Sequence, residues 1–118
     1  MNNKITIKVA DFIGSSICIS AEDGQKVFKK IESMMKSGKH ITISFENIKT
    51  LISLFLNVSI GQLYGIFSEE EIRSQVKVEG LSSDDLELLK RVVDNAKKYY
   101  ANATGYDKAW KEDDEDEK

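Results

Sequence analysis

Residues 41–48 read ITISFENI and residues 51–64 read LISLFLNVSIGQLY, and these two stretches decide the fold. In the first, Ile41, Ile43 and Phe45 alternate with polar residues, and this period of two is typical of a strand with one buried face. The second is apolar at most positions and is interrupted chiefly by small or polar residues, which predicts a largely buried helix. A strand that leads into a buried helix is the repeating unit of an α/β domain.

Two stretches nearer the start of the chain also have the period of strands. Alternating isoleucines mark residues 4–10 and residues 17–19. Residues 11–14 lie between them and end in Gly14, a residue type that favours tight turns. The pair therefore predicts an N-terminal antiparallel hairpin, in which Cys18 lies on the face opposite its isoleucine neighbours.

Helical periodicity and capping residues predict three helices. The first begins after Ser20 and ends at Gly38, and the second spans 51–67. The third begins after Ser82 and follows a strand at residues 76–78. The elements therefore have the order β-β-α-β-α-β-α. Because strands that alternate with helices pair in parallel through right-handed crossovers, we predict a small α/β domain with a mixed sheet.

Length and charge indicate one domain with an acidic end. The chain has 118 residues, of which 41% are hydrophobic and 31% charged, which suits a single core. Its net charge is -3; residues 107–118 hold seven acids and three bases, so residues 1–106 sum to +1. A nearly neutral body disfavours nucleic-acid binding, which needs clustered Lys and Arg. We predict a domain at 1–106 and a tail at 107–118 that is too charged to offset its ordering entropy and is disordered.

The scarcity of reactive residues argues against several kinds of site. The chain has one cysteine, Cys18, and one histidine, His40, so we expect neither a disulfide nor a metal site, and no cofactor is implied. No base is tied by its spacing to a nucleophile, which indicates a protein that is not an enzyme. The first residues lack the apolar run of a signal peptide, and no segment has the ~20 apolar residues of a membrane span. We therefore expect a cytoplasmic protein.

The most informative candidate site lies in the predicted 51–67 helix. Ser53, Asn57 and Gly61 recur at steps of four, which places them in a strip along one side. One interpretation is structural: Ser53 caps the helix, Asn57 bonds a loop and Gly61 permits close packing, as Gly65 also does. The other is functional: Ser53, with Leu54 beside it, accepts a phosphate or contacts a partner, since a helix N-terminus favours negative charge.

This region resembles the STAS-like domain of unknown function found in small bacterial, plasmid and phage-associated proteins. The most specific part is the pattern SxFLNxxxGxLY at residues 53–64, and the likeness extends over residues 4 to about 101. That family is similar to the STAS domains of anti-sigma factor antagonists. In those domains the first serine of an Asp-Ser-Ser-Gly turn is phosphorylated by an ATPase-fold kinase that is also the binding partner. The resemblance places Ser53 at that serine, with Ile52, Leu54 and Phe55 at the other three positions.

The resemblance implies a non-catalytic regulatory or adaptor module that binds a protein partner, with an ATPase-fold, histidine-kinase-like protein as the class of partner. Phosphorylation of Ser53 is the switch that it implies, and Leu54, Asn57 and Gly61 are the further candidates for partner contact. Two alternatives stay open. One is an oligomeric or interaction component of a mobile-element or phage defence or anti-defence system. The other is a small ligand bound in the STAS crevice near Ser53 and Asn57.

Overall fold

The computed structural model describes the backbone of residues 3–113 and the side chains of residues 3–101. In this part of the chain the strands are β1 Lys4–Lys8, β2 Ile17–Cys18, β3 His40–Ser44, β4 Thr50–Leu51 and β5 Val76–Glu79. The helices are α1 Val9–Ile13, α2 Ala21–Lys36, α3 Ser53–Ser59, α4 Glu69–Gln75 and α5 Ser83–Asp113, with a 3₁₀ helix at Gly61–Gly65. This composition confirms the predicted α/β class.

Parallel pairing joins three strands into the larger sheet, in the order β1-β3-β5. Its register places Ile7 beside Ile43, and Ile43 beside Val78. Because side chains alternate between the faces of a strand, these residues share one face, where Ile7, Ile41 and Ile43 are buried. Helix α2 packs against β3. The predicted buried faces are thus confirmed at β1 and β3, although Ser44 on the opposite face of β3 is also buried.

The predicted N-terminal antiparallel hairpin is wrong. After β1 the chain forms α1, which ends at Gly14 in a left-handed conformation with φ of 73°. It then reaches β2, which pairs in parallel with β4 and not with β1. The alternation of apolar residues continues to Val9, but the pairing of β1 with β3 ends at Lys8 and Ser44. Because the end of the pairing depends on the partner strand, the alternation alone could not reveal it. Both sheets in the described chain are therefore parallel, which corrects the predicted mixed sheet.

The single helix predicted at 51–67 is divided into several elements. Leu51 ends β4, α3 stops at Ser59, and the 3₁₀ helix follows. Near the break, Ser59 Oγ donates a hydrogen bond to Phe55 O at 2.8 Å, and such a bond to the preceding turn often bends a helix. The 3₁₀ turn then buries Leu63 completely. The apolar composition correctly predicted burial, but it did not reveal the break.

Capping residues mark the starts of the two long helices. Ser20 Oγ accepts a hydrogen bond from Asp23 N at 3.0 Å at the start of α2. Ser82 Oγ accepts one from Asp85 N at 3.1 Å at the start of α5. Gly38, with φ of 77°, follows the end of α2. These three predicted boundaries are confirmed, because each depends on residues only a few positions apart.

Helix α5 covers α3 and the 3₁₀ helix with an apolar face that includes Leu89, Val92 and Ala96. The side chains of residues 102–118 lie outside the described part of the chain. The division into a domain at 1–106 and a disordered tail at 107–118 therefore stays a prediction. Among the described helices, none is long and apolar enough to cross a membrane.

Candidate functional site

Helix α3 is separated from strand β4 by one residue, and Ser53 is its first residue. The preceding residue, Ile52, is extended, and its N–H donates to Cys18 O at 3.2 Å. A capping side chain belongs to the residue before the first helical one, which here is Ile52. The capping role predicted for Ser53 is therefore wrong: no side chain of the described residues caps α3, and Ser53 is exposed.

An exposed apolar surface lies at the start of α3. Four side chains form it, and we call them the α3 surface: Ile17, Ile19, Ile52 and Leu54. Their exposed fractions are 44%, 48%, 38% and 45% respectively. The register of the smaller sheet explains the exposure of the three isoleucines, because Cys18 pairs with Leu51 and both point into the core. The residues on either side of each must then point outward. The predicted position of Cys18, opposite its neighbours, is confirmed.

The structure brings Asn57 and Gly61 together, but at a different place from Ser53. An added Cβ on Gly61 would lie 3.5 Å from Asn57 Oδ1 and 3.7 Å from Ala96 Cβ. Both residues line a crevice of about 200 Å³ against α5, together with Asn95, Ala96, Tyr99 and Tyr100. Neither Ser53 nor Leu54 lines it. The predicted strip is thus divided, because α3 ends before Gly61.

Close packing was predicted at Gly61 and Gly65, and the structure confirms it at Gly65 and adds Gly24. A Cβ added to Gly61 would meet only ordinary van der Waals distances. One added to Gly24, in α2, would lie 3.1 Å from Val58 Cβ and 3.2 Å from Phe55 O of α3. One added to Gly65 would overlap the ring of Tyr100 at 2.5 Å. Gly24 therefore sets the distance between α2 and α3, and hence the position of the α3 surface.

The two single reactive residues occupy structural positions. Burial raises the pKa of the Cys18 thiol to about 11, with a further rise from the charge of Asp23, so the thiol is protonated at neutral pH. His40 Nδ1 lies 3.1 Å from Ser74 O. Among the residues that the structure describes, no three His, Cys, Asp or Glu side chains come together in a way that could hold a metal ion. Neither Cys18 nor His40 lies in the α3 surface.

A charged cluster between α4 and α5 was not predicted from the sequence. Glu69 Oε2 accepts from Arg73 Nη2 and from Lys97 Nζ, each at 2.7 Å. The hydrogen bond from Lys97 is the main reason why the pKa of Glu69 is lowered, and the same bond raises the pKa of Lys97. The spacing of Glu69 and Arg73 by four residues signalled their pair. Nothing local signalled Lys97, which lies one helix further along the chain.

Parallel strands that alternate with helices, with an exposed serine where a strand leads into a helix, agree with the fold that the sequence resemblance implied. The family model described as "STAS-like domain of unknown function (DUF4325)" matches residues 23–86. The chain belongs to this family. The matched part of the STAS-like domain runs from the first turn of α2 to the first turn of α5 and includes Ser53. Searches of curated proteins and of solved structures gave no match to the chain.

Proposed function

We propose that this STAS-like domain is a non-catalytic regulatory module that binds a protein partner at the α3 surface. The observation that carries the proposal is the exposure of four aliphatic side chains on one side of the β2 and β4 pair and the first turn of α3. Contiguous exposed apolar residues of this kind mark protein interaction sites. Covering them in a complex removes apolar area from water, which stabilises the complex by about 25 cal/mol for each Å² buried.

Phosphorylation of Ser53 is the switch that we propose for this surface. Its hydroxyl is exposed at the first turn of α3, where no described side chain competes for the free N–H groups. A phosphate adds a charge of about -1.5 to -2 between Ile52 and Leu54. An apolar interface would have to desolvate that charge, so phosphorylation weakens binding. The family resemblance supports an ATPase-fold, histidine-kinase-like protein as the partner.

A pair of matched leucines tests the interface. Leu54 and Leu86 are each in the first turn of a helix and are 45% and 43% exposed. Fully burying a leucine side chain contributes ~1.5–3 kcal/mol, so burying the exposed part of Leu54 contributes about 1 kcal/mol, or roughly a five-fold change in affinity. We expect Leu54→Ser to weaken retention of a specific partner in affinity purification, and Leu86→Ser to retain it as the wild type does. Equal retention by both variants would contradict the proposal.

The effect of a negative charge at Ser53 is measured separately, once a partner has been identified. The affinity of the partner is compared for Ser53→Asp, Ser53→Ala and the wild type by titration calorimetry. We expect the aspartate variant to bind more weakly than the alanine variant, because only the aspartate places a charge in the interface. Identical affinities for the two variants would remove the switch and leave the docking surface standing.

Two alternatives keep specific support. The α3 surface would also fit a second copy of the chain, as an oligomeric component of a defence or anti-defence system requires. Light scattering at several concentrations separates this case, since Leu54→Ser would then lower the measured mass. The crevice at Asn57 and Gly61 supports the other alternative, a small ligand, because Asn95 and Tyr99 add polar groups to its lining.

A further inference from the structure

A second cavity, of about 180 Å³, lies between α4, β5, α5 and the 3₁₀ helix. Its walls are aliphatic, and they comprise Ile60, Ile72, Val76, Val78, Leu89 and Val93. Val76 and Val78 belong to the apolar face of the sheet, yet both are only half-buried. The cavity therefore leaves part of the core face of β5 uncovered.

Charged and polar groups form the mouth of this cavity. They are Tyr64 from the 3₁₀ helix, Glu69 and Arg73 from α4, and Lys97 from α5. Both cations bind the same oxygen of Glu69, Oε2, at 2.7 Å. Two positive charges thus share one carboxylate, and the charged residues that line the mouth sum to +1; the carboxylate of Asp94, which does not line it, also acts on Lys97. Lys97 is the more enclosed cation, with its side chain 36% exposed against 72% for Arg73.

Tyr64 adds an unused hydrogen-bond donor to the mouth. Its side chain is half-buried, and its hydroxyl donates to none of the residues that the structure describes. Burial raises the pKa of Tyr64 although the charge of Lys97 lowers it, so the phenol keeps its proton at neutral pH. A half-buried donor beside an excess positive charge suits an anion that accepts hydrogen bonds.

We propose that this cavity binds a short-chain aliphatic monocarboxylate. The carboxylate lies at the mouth, where Lys97 and Arg73 pair with it and the Tyr64 hydroxyl donates to it. The aliphatic chain covers the exposed parts of Val76, Val78 and Val93. An apolar cavity of ~150 Å³ accepts a molecule the size of benzene, so the volume here fits a chain of about six carbons. A bare phosphate or sulfate would leave the six aliphatic walls uncovered, which favours the amphipathic ligand.

This site is separate from the proposed docking surface. The cavity shares no lining residue with the α3 surface or with the crevice at Asn57 and Gly61. A substitution that abolishes ligand binding in the cavity therefore still allows partner binding at the α3 surface to be measured, and the reverse also holds. A failed ligand titration would not bear on partner binding, and a failed partner experiment would not bear on this cavity.

The test is a titration of the full chain with sodium butyrate, pentanoate, hexanoate and octanoate, and with 1-hexanol, followed through valine methyl resonances by NMR. We expect saturable shifts at Val76, Val78 and Val93. Each added methylene should raise the affinity about four-fold up to hexanoate, because ~0.8 kcal/mol accompanies each buried CH₂. Octanoate should gain nothing further, since the cavity is filled. Absence of saturation with hexanoate, or equal affinities for hexanoate and 1-hexanol, would overturn the proposal.

Three variants separate the two ends of the ligand. Lys97→Gln should lower the affinity for hexanoate about ten-fold and leave that for 1-hexanol unchanged, because only the carboxylate uses the charge. Lys98→Gln, at an exposed neighbouring position, is the control and should bind as the wild type does. Val93→Phe should fill the cavity and abolish both titrations. Should Val93→Phe fail to fold, Lys97→Gln decides: wild-type affinity for hexanoate in that variant would overturn the site.

Discussion

Replacement of Gly24 by alanine tests the close approach of α2 and α3, on which the position of the α3 surface depends. Gly24 is buried in the first part of α2. An added Cβ would lie 3.1 Å from Val58 Cβ, 3.2 Å from Val58 Cγ1 and 3.2 Å from Phe55 O. All of these atoms belong to α3, and one is a backbone oxygen that cannot rotate away. The methyl group can therefore be accommodated only if α3 moves.

Two effects of opposite sign determine the size of the change. Alanine is favoured over glycine in a helix by up to about 1 kcal/mol. Extra volume in a well-packed core costs about 1–3 kcal/mol. The higher part of that range applies, because the side chain of Phe55 is fully buried and the helix that carries it has little room to shift. We expect Gly24→Ala to lower the free energy of unfolding by about 1–2 kcal/mol.

Urea unfolding followed by circular dichroism measures this loss. Gly61→Ala is the matched control, because its added Cβ would have its nearest neighbour, Asn57 Oδ1, at 3.5 Å. We expect the stability of that variant to stay within about 0.5 kcal/mol of the wild type. A Gly24→Ala protein at least as stable as the wild type would refute the argument, since the overlap would then cost no more than the helix-forming advantage of alanine contributes.

The remaining predictions concern charge and protonation. Ser53→Asp should raise the free energy of unfolding by about 0.3–1 kcal/mol, because a negative charge is stabilising at the N-terminus of α3. A loss of partner binding in this variant would then not be due to unfolding. A fall in its urea midpoint would contradict this prediction. Burial raises the pKa of Cys18 from 9.0 to about 11, so the unfolded chain loses the thiol proton first and stability falls as the pH rises from about 9 to 11. That fall, about 2–3 kcal/mol, should be absent in Cys18→Ala, and identical pH profiles of the urea midpoint would refute the assignment. Lys97→Gln should raise the pKa of the Glu69 carboxyl, which carbon-detected NMR titration measures; an unchanged midpoint would mean that Lys97 does not hold this carboxylate.

Several features of the fold follow from residues that are close in sequence. Alternation at Ile41, Ile43 and Phe45 correctly predicted the buried apolar face of β3 and of the residue that follows it. The caps at Ser20 and Ser82 were correct because a capping bond joins residues three positions apart. Membership of the STAS-like family was also visible in the sequence, and the match over residues 23–86 confirms it.

The candidate site was only partly predictable, for a reason that Ser53 illustrates. The sequence placed it at the start of a helix, which is correct, but the boundary with β4 makes Ile52 the residue at the cap position. The strip through Asn57 and Gly61 assumed a helix that continues beyond Ser59. In the structure α3 ends at Ser59, and the 3₁₀ helix that follows packs against α5.

By itself the sequence determined the α/β class, the faces of the strands that enter the core, the starts of the long helices and the family. These depend on periodicity and on contacts within one helical turn. Tertiary structure alone decided that β2 pairs with β4, which brings Ile17 and Ile19 to the start of α3, and that Lys97 reaches Glu69. These contacts join residues about thirty positions apart, and nothing local in a sequence specifies which of many compatible partners a strand or a charge will meet.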